Sequence, residues 1–183
     1  MTFESLGDRA QIYINRKLVG IVYVNDEELK INISANAGDV LTILVENMGR
    51  ANFGPKMMRK KGIAGRCLIG EKIHFNWNVY KLPMDNLDKL SYSQSKPEEN
   101  SCFFKGNFTV EECADTFLKL DGFKKGFVLI NGFNIGRYWE IGQKKYLYVP
   151  YSLLKKGNKE IVFFESDGLM GPAEVDFVSY HSI

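Results

Sequence analysis

The sequence predicts an all-β protein built from two antiparallel β-sandwiches of the jelly-roll type. Apolar and polar residues alternate along most of the 183 residues, as they do in strands that bury one face. Turn-forming residues, mainly Asn, Gly and Asp, separate these runs at short intervals, which is typical of a sandwich. Helical periodicity is scarce, so strands must supply most of the core.

The predicted strands follow from the alternating runs, taken in chain order at residues 10–14, 29–33, 40–45, 104–110, 127–130, 146–149 and 161–164. The third run, VLTILV, is almost continuously apolar and predicts a strand that is buried on both faces. Turns are predicted at residues 15–17, 36–39, 131–132 and 156–158. The Asn131-Gly132 pair fits a tight hairpin, because glycine tolerates a positive φ.

Two short segments predict helical turns, at residues 84–90 after Pro83 and at residues 151–155. Residues 91–101 (SYSQSKPEENS) are polar and contain Pro97, which is typical of a linker or an exposed loop. The sequence therefore predicts a first sandwich domain with its connection at residues 1–90, a linker at 91–101 and a second sandwich domain at 102–183.

The two halves repeat one pattern. An apolar run ends in Asn15 in the first half and in Asn131 in the second, and similar strand and turn signals follow each. The interval from Gly38 to Glu46 equals the interval from Gly157 to Glu165. Two copies of one β-sandwich design are the simplest interpretation, and chance similarity between β proteins is the alternative.

Composition excludes several classes of function. The formal net charge of +2 with interspersed signs does not favour nucleic-acid binding. No apolar run reaches the roughly 20 residues that cross a bilayer, and residues 1–10 do not resemble a signal peptide, so we expect a cytoplasmic protein. The few thiols and imidazoles predict no metal site, no cofactor and no histidine-dependent triad; they are Cys67, Cys102, Cys113, His74 and His181.

Four blocks of sequence carry a resemblance to a known family: ENMGRANFG at 46–54, KGIAG at 61–65, WNVYKLPMD at 77–85, and residues 115–165 with NGFNIGRYW and LYVP. In this order they resemble the C-terminal β-domains of family 35 β-galactosidases. The resemblance covers nearly the whole chain and implies two galactose-binding-like domains. In that family both catalytic glutamates lie in a preceding (β/α)8 barrel, and the acid/base glutamate follows an asparagine.

The resemblance implies that this chain has no catalytic residues of its own. It contains no Asn-Glu dipeptide and no alternating βα pattern of a barrel. The adjacent acidic pairs at 27–28, 98–99 and 111–112 do not suit catalysis, because neighbouring side chains in a strand point to opposite faces. Retaining hydrolysis requires two carboxyl groups on either side of one bond.

Two clusters are candidates for contact with substrate. By the resemblance, the loop that contains Asn52 and Phe53 leans over the barrel mouth and helps to wall the galactose pocket. Many relatives carry tyrosine where Phe53 stands, and phenylalanine keeps the stacking face without the hydroxyl. The second cluster is Arg137, Tyr138 and Trp139, which suits sugar stacking beside an arginine. The structural alternatives are a packed turn at the first cluster and core or interdomain packing at the second.

These observations leave three alternative functions. The chain is an accessory region of a β-galactosidase that packs on a catalytic barrel, a free-standing carbohydrate-binding module with weak affinity for galactosides, or a structural remnant without a ligand. By the resemblance, the first sandwich is N-terminally truncated and leaves an apolar face uncovered. A homodimer or a fold-back of the linker or of residues 175–183 would cover that face, whose candidates are Ile12, Ile14, Ile31, Ile33, Leu41 and Ile43.

Overall fold

The computed structural model describes residues 1–94, 101–142 and 146–179. These residues form strands and short 3-10 turns, and within the described ranges there is no α-helix, so the all-β prediction is confirmed. The chain divides into two compact units, Met1–Pro83 and Met84–Ile183. This division falls before the predicted linker at 91–101, of which residues 95–100 lie outside the described part of the chain.

Unit 1, Met1–Pro83, contains eight short strands in three antiparallel sheets, ordered β4-β3-β5, β1-β7-β8 and β2-β6. The strands are β1 Thr2–Phe3, β2 Leu6–Gly7, β3 Arg9–Ile14, β4 Lys17–Tyr23, β5 Leu41–Glu46, β6 Gly62–Ile63, β7 Cys67–Ile69 and β8 Lys72–Ile73. A 3-10 turn spans Pro55–Met58. The N-terminal residues pack under β3, and their shared core consists of Met1, Phe3, Leu6, Ala10, Ile12, Val22 and Cys67.

Unit 2, Met84–Ile183, is a two-sheet sandwich with sheet orders β12-β11-β14-β9 and β13-β10-β15. Its strands are β9 Cys102–Val110, β10 Thr116–Asp121, β11 Lys125–Ile130, β12 Phe133–Trp139, β13 Tyr146–Val149, β14 Gly157–Glu165 and β15 Glu174–Val178. Both sheets contribute to one core, in which Leu118, Val128, Ile130 and Val149 are all fully buried. Short 3-10 turns at Leu87–Lys89 and Tyr151–Leu153 confirm the two predicted helical turns.

Two of the predicted strands differ from the structure. Residues 29–33 form no strand: they make a single bridge from Lys30 to Thr2, with the Phe3 N–H donating to the Leu29 carbonyl at 2.8 Å. The predicted burial of residues 40–45 on both faces is wrong, because Val40 is 63% exposed and Thr42 is exposed. A continuous run of apolar residues does not by itself distinguish a half-buried antiparallel strand from a fully buried one.

The internal repeat is confirmed by strand pairing. The central strand β3 pairs with β4 and β5, and β11 pairs with β12 and β14 in the same order. A bulge follows Ile12 in one copy and Val128 in the other. Each copy then turns at an asparagine with φ of 49°, Asn15 or Asn131, and the predicted hairpin at Asn131-Gly132 is confirmed.

The equal intervals that suggested the repeat are nevertheless one residue out of register. Leu41 lies opposite Ile14, and Ile161 lies opposite Ile130, so these two positions correspond. Glu46 therefore lies opposite Arg9, whereas Glu165 lies opposite Gly126. Because successive side chains in a strand point to opposite faces, the two glutamates occupy different environments.

The apolar face that we expected to be uncovered is covered in part by the chain itself. Ile12 is completely buried beneath the N-terminal residues. Four others, Ile31, Ile33, Leu41 and Ile43, are partly buried against the same core, with Ile31 tied by its N–H to the Met1 carbonyl at 2.9 Å. Ile14 is half-buried but does not belong to that core. Residues 175–178 of the predicted fold-back segment lie in β15, which pairs with β10 in unit 2, and residues 180–183 lie outside the described residues, so the fold-back stays a prediction. The truncation and the homodimer stay predictions.

Candidate functional site

The loop that presents Asn52 and Phe53 is anchored at its base. Asp8, which is buried, accepts hydrogen bonds from the Met48 N–H at 2.8 Å and from Lys61 Nζ at 2.5 Å. Lys61 Nζ also donates to the Gly49 carbonyl. A buried carboxylate paired with a lysine and a backbone N–H gives this loop a fixed base.

The tip of the same loop is open. Phe53 is 88% exposed, and the exposed Asn52 side chain has no hydrogen-bond partner within residues 1–94, 101–142 and 146–179. Gly54, with φ of 86°, adopts a conformation that favours glycine and leads into the turn at Pro55–Met58. The alternative of a packed turn is therefore wrong for the Phe53 ring, which presents a flat apolar face to solvent.

The second predicted cluster is divided between the two faces of β12. Tyr138 is 3% exposed and belongs to the core of unit 2, whereas Arg137 is exposed and Trp139 is half-buried. The period-two geometry of a strand places Arg137 and Trp139 on one face and Tyr138 on the other. Tyr138 is thus a packing residue, and the structure does not bring the three side chains together as one surface.

Tyr138 ends in a buried network around Glu165 that the sequence interpretation missed. The Tyr138 hydroxyl donates to the Phe164 carbonyl at 2.9 Å and lies 3.2 Å from Glu165 Oε2. Glu165 is completely buried and also accepts backbone N–H groups of Lys124 at 2.9 Å and Asp167 at 2.8 Å. A glutamate that ends an apolar strand was the only signal, and it does not distinguish a buried side chain from an exposed one.

Burial shifts both titrating groups of this network in the same direction. Burial, together with the neighbouring Glu165 charge, raises the pKa of Tyr138 above its usual range. Burial raises the pKa of Glu165, and the backbone N–H donors and the Tyr138 hydroxyl oppose that rise. The network joins β11, β12 and β14, so its chemistry is that of an internal support.

Trp139 lies on the face of β12 opposite Tyr138, where it contacts a lysine. The ammonium of the buried Lys125 lies 5.1 Å from the centre of the Trp139 ring, a cation–π contact. Beside it is a small cleft of about 80 Å³, lined in part by Asp121, Phe123, Trp139 and Glu140. This volume is far below the roughly 300–1,000 Å³ of typical ligand pockets. The cleft therefore suits solvent or a single substituent of a ligand better than a whole sugar.

A long exposed apolar segment of unit 1 was not singled out as a surface by the sequence interpretation. Every residue from 71 to 83 is exposed. Within it the 75–82 strip carries large apolar side chains with high exposed fractions: Phe75 69%, Trp77 37%, Val79 84%, Tyr80 81% and Leu82 59%. Such a concentration of exposed apolar side chains marks an interaction surface.

Metal-ligating residues do not gather in the structure. Within the described ranges there is no group of three or more His, Cys, Asp or Glu side chains that could hold a metal ion. His74 contacts the edge of Trp77, with ring centres 4.9 Å apart, while His181 lies outside the described residues. Cys67, Cys102 and Cys113 are thiols. No helix of the described part is long and apolar enough to span a membrane.

Comparison with known proteins gives a consistent result for both units. A model of the first all-β domain of β-galactosidases matches residues 1–83, and a model of the β-galactosidase galactose-binding domain matches residues 101–159. β-Galactosidase-1-like protein 2 of Homo sapiens is 38% identical over 178 residues, which cover 91% of this chain and 27% of the relative.

Two further relatives show a similar coverage. β-Galactosidase 1 of Dictyostelium discoideum is 32% identical, with 91% of this chain and 28% of the relative covered. The β-galactosidase of Bos taurus is 33% identical, with 80% of this chain and 26% of the relative covered. The chain thus spans about a quarter of the length of the curated relatives that it matches.

Proposed function

The chain belongs to the β-galactosidases, of which it carries the first all-β domain and the galactose-binding domain, and we propose that it is a non-catalytic accessory region of a family 35 glycoside hydrolase. Its role is to pack on a catalytic (β/α)8 barrel and to shape the substrate cleft through Phe53. The complete enzyme hydrolyses terminal β-galactosides. In this proposal the chain needs no cofactor.

The 75–82 strip is the observation that carries this proposal. Val79 and Tyr80 are each more than four-fifths exposed, and a soluble domain that works alone rarely leaves such side chains in water. Burial of one large apolar side chain contributes about 1.5–3 kcal/mol. A partner that covers the strip would gain several such contributions, which suits a permanent interface.

We expect the strip to bind the catalytic barrel of a β-galactosidase when that barrel is expressed as a separate polypeptide. Replacing Val79 and Tyr80 together by serine should weaken the complex at least about tenfold, because central apolar contacts dominate interface energies. Sedimentation velocity of mixtures measures the affinity. Val40→Ser, at a residue that is 63% exposed in the same unit, is the matched control.

Sedimentation of the chain alone tests the competing homodimer, which would bury roughly 800 Å² per partner. If the chain binds no barrel, or if Val40→Ser weakens the complex as much as the double variant, the accessory role through the 75–82 strip is wrong. Concentration-dependent self-association that the double variant abolishes would instead assign the strip to a second copy.

The isolated chain should show no β-galactosidase activity. Three of its described glutamates serve other contacts: Glu4 pairs with Arg66, Glu46 with Arg9, and Glu165 is buried among hydrogen-bond donors. Retaining hydrolysis requires two carboxyl groups roughly 5 Å apart across the scissile bond. Release of nitrophenol from a nitrophenyl galactoside is the measurement, and turnover that tracks with the protein through repurification would contradict the prediction.

A free-standing carbohydrate-binding module is the second candidate, favoured by the exposed Phe53 ring beside Asn52. We expect any galactose affinity to be weak, with a dissociation constant near 1 mM or about −4 kcal/mol. It should fall on Phe53→Ala or Trp139→Ala, which titration followed by NMR would show. Micromolar affinity by calorimetry would favour the binding module. If no NMR signal shifts in a saturable way, the chain is a structural remnant without a ligand.

The cytoplasmic location stays a prediction from the sequence. An odd number of cysteines, three in all, suits a reducing compartment. Immunoblotting of fractionated cells tests it directly.

A further inference from the structure

A second cleft, unrelated to either predicted cluster, lies at the β11–β12 hairpin of unit 2. Its volume is about 250 Å³, close to the lower end of typical ligand pockets and larger than the cleft at Trp139. The lining residues that matter are Asn131, Phe133, Ser152, Lys155 and Lys159. The size suits one sugar ring and the residue types suit its recognition.

The hairpin fixes an aromatic ring and an amide at the cleft. Asn131 and Gly132 have φ of 49° and 79°, and this tight turn leaves Phe133 57% exposed. Asn131 Oδ1 accepts the Glu160 N–H at 3.1 Å, which orients the amide. Among the described residues, its Nδ2 group has no hydrogen-bond partner and remains a donor for a ligand.

The other polar groups of the lining are donors or cations. Lys159 Nζ donates to the Asn158 carbonyl at 3.1 Å, and the side chains of Ser152 and Lys155 have no hydrogen-bond partner in residues 1–94, 101–142 and 146–179. Within the described part of the chain, no carboxylate lines the cleft. The nearby Glu160 carboxylate pairs instead with Lys105 at 2.5 Å. Among the described residues, the lining therefore contributes two lysine ammonium groups and no carboxylate.

We propose that this cleft binds an acidic sugar residue. The pyranose ring stacks on Phe133, its hydroxyls accept from Asn131 Nδ2 and exchange hydrogen bonds with Ser152, and its carboxylate or sulfate meets the Lys155 ammonium. The site goes beyond the accessory role proposed above and does not depend on a barrel. Its residues include neither Phe53 nor Trp139, so sugar binding at this cleft can be tested separately from the weak galactose binding expected at those two residues.

Titration of the isotope-labelled full chain, followed by amide NMR signals, tests the proposal. The probes are galacturonate, galactose 6-sulfate, galactose and inorganic sulfate at constant ionic strength. We expect at least one acidic sugar to bind at this cleft with a dissociation constant of about 1 mM, at least about tenfold more tightly than galactose binds at the same cleft. The shifts should centre on Asn131, Phe133 and Ser152. The two acidic probes distinguish a carboxylate ligand from a sulfate ligand.

Phe133→Ala and Lys155→Gln should each weaken binding of the acidic sugar at least about tenfold. Lys156→Gln is the matched control, because it removes the same charge from the next residue, which is exposed and does not line the cleft. All three side chains are exposed, so the variants should keep the wild-type spectrum elsewhere.

Four results would overturn the proposal: no saturable shift with either acidic sugar at about 50 mM, shifts centred on another surface, equal losses in the Lys155 and Lys156 variants, or inorganic sulfate binding as tightly as galactose 6-sulfate. The last result would identify a simple anion site.

Discussion

Gly126→Ala should prevent unit 2 from folding, or destabilise it by about 4 kcal/mol or more, the range reserved for severe core disruptions. A Cβ atom at this position would lie 1.7 Å from the Phe164 carbonyl oxygen and 2.7 Å from the Tyr138 hydroxyl. The first contact is with backbone, which cannot rotate away. The β11–β14 pairing would have to open at the centre of the larger sheet.

Gly106→Ala is the control for this effect. It lies in β9 of the same sheet, and its added Cβ would meet only the Ile161 side chain, at 3.5 Å, an ordinary contact. We expect the free energy of unfolding of this variant to change by less than about 1 kcal/mol, since glycine within a strand already costs conformational entropy. Urea unfolding, followed by the amide signals of unit 2, measures both variants. Equal midpoints for the two would show that the sheet accommodates the methyl group at Gly126.

Glu165→Ala should destabilise unit 2 by about 4 kcal/mol. Its removal leaves the backbone N–H groups of Lys124 and Asp167 without their acceptor in a partly buried setting. Each unsatisfied buried donor costs about 1–3 kcal/mol, and the Tyr138 hydroxyl loses one of its two partners. The same unfolding measurement applies. A loss below about 1 kcal/mol would mean that water replaces the carboxylate.

Glu165→Gln removes the charge of this side chain and keeps its size, so it tests the charge alone. Burial raises the pKa of Glu165 in the folded state, so protonation stabilises the fold relative to the unfolded chain. The contribution of this group is complete below its ordinary pKa of 4.5 and is lost as pH rises through the higher folded value. The stability of the wild type relative to the glutamine variant should therefore fall with rising pH above about 4.5. A difference that grows with pH would contradict the raised pKa.

Much of the fold was predictable because local signals agreed with the tertiary structure. The strand at residues 146–149 coincides with β13, and the Asn131-Gly132 turn adopts the positive φ values that such a hairpin requires. The repeat was visible because both copies place an asparagine after the central strand. These features depend on short-range patterning, which a sequence displays directly.

Features that depend on partners distant in sequence were not predictable. Residues 29–33 alternate like a strand, yet the N-terminal residues meet them at only one bridge, Thr2 to Lys30. At the candidate site, the Phe53 ring is exposed, and its contact with a substrate stays a prediction. Tyr138 was grouped with its neighbours by sequence, although alternation turns it inward to Glu165, a partner 27 residues away.

The offset of one residue between the two copies limits how their strands can be exchanged. A graft that aligns Glu46 with Glu165 by sequence interval would turn each side chain of β5 to the wrong face of the sheet. A graft cut so that Leu41 replaces Ile161 would keep the faces and bring Val45 to the position of Glu165. A shift of one residue thus separates a glutamate that pairs with the buried Arg9 from a glutamate at the centre of a buried network.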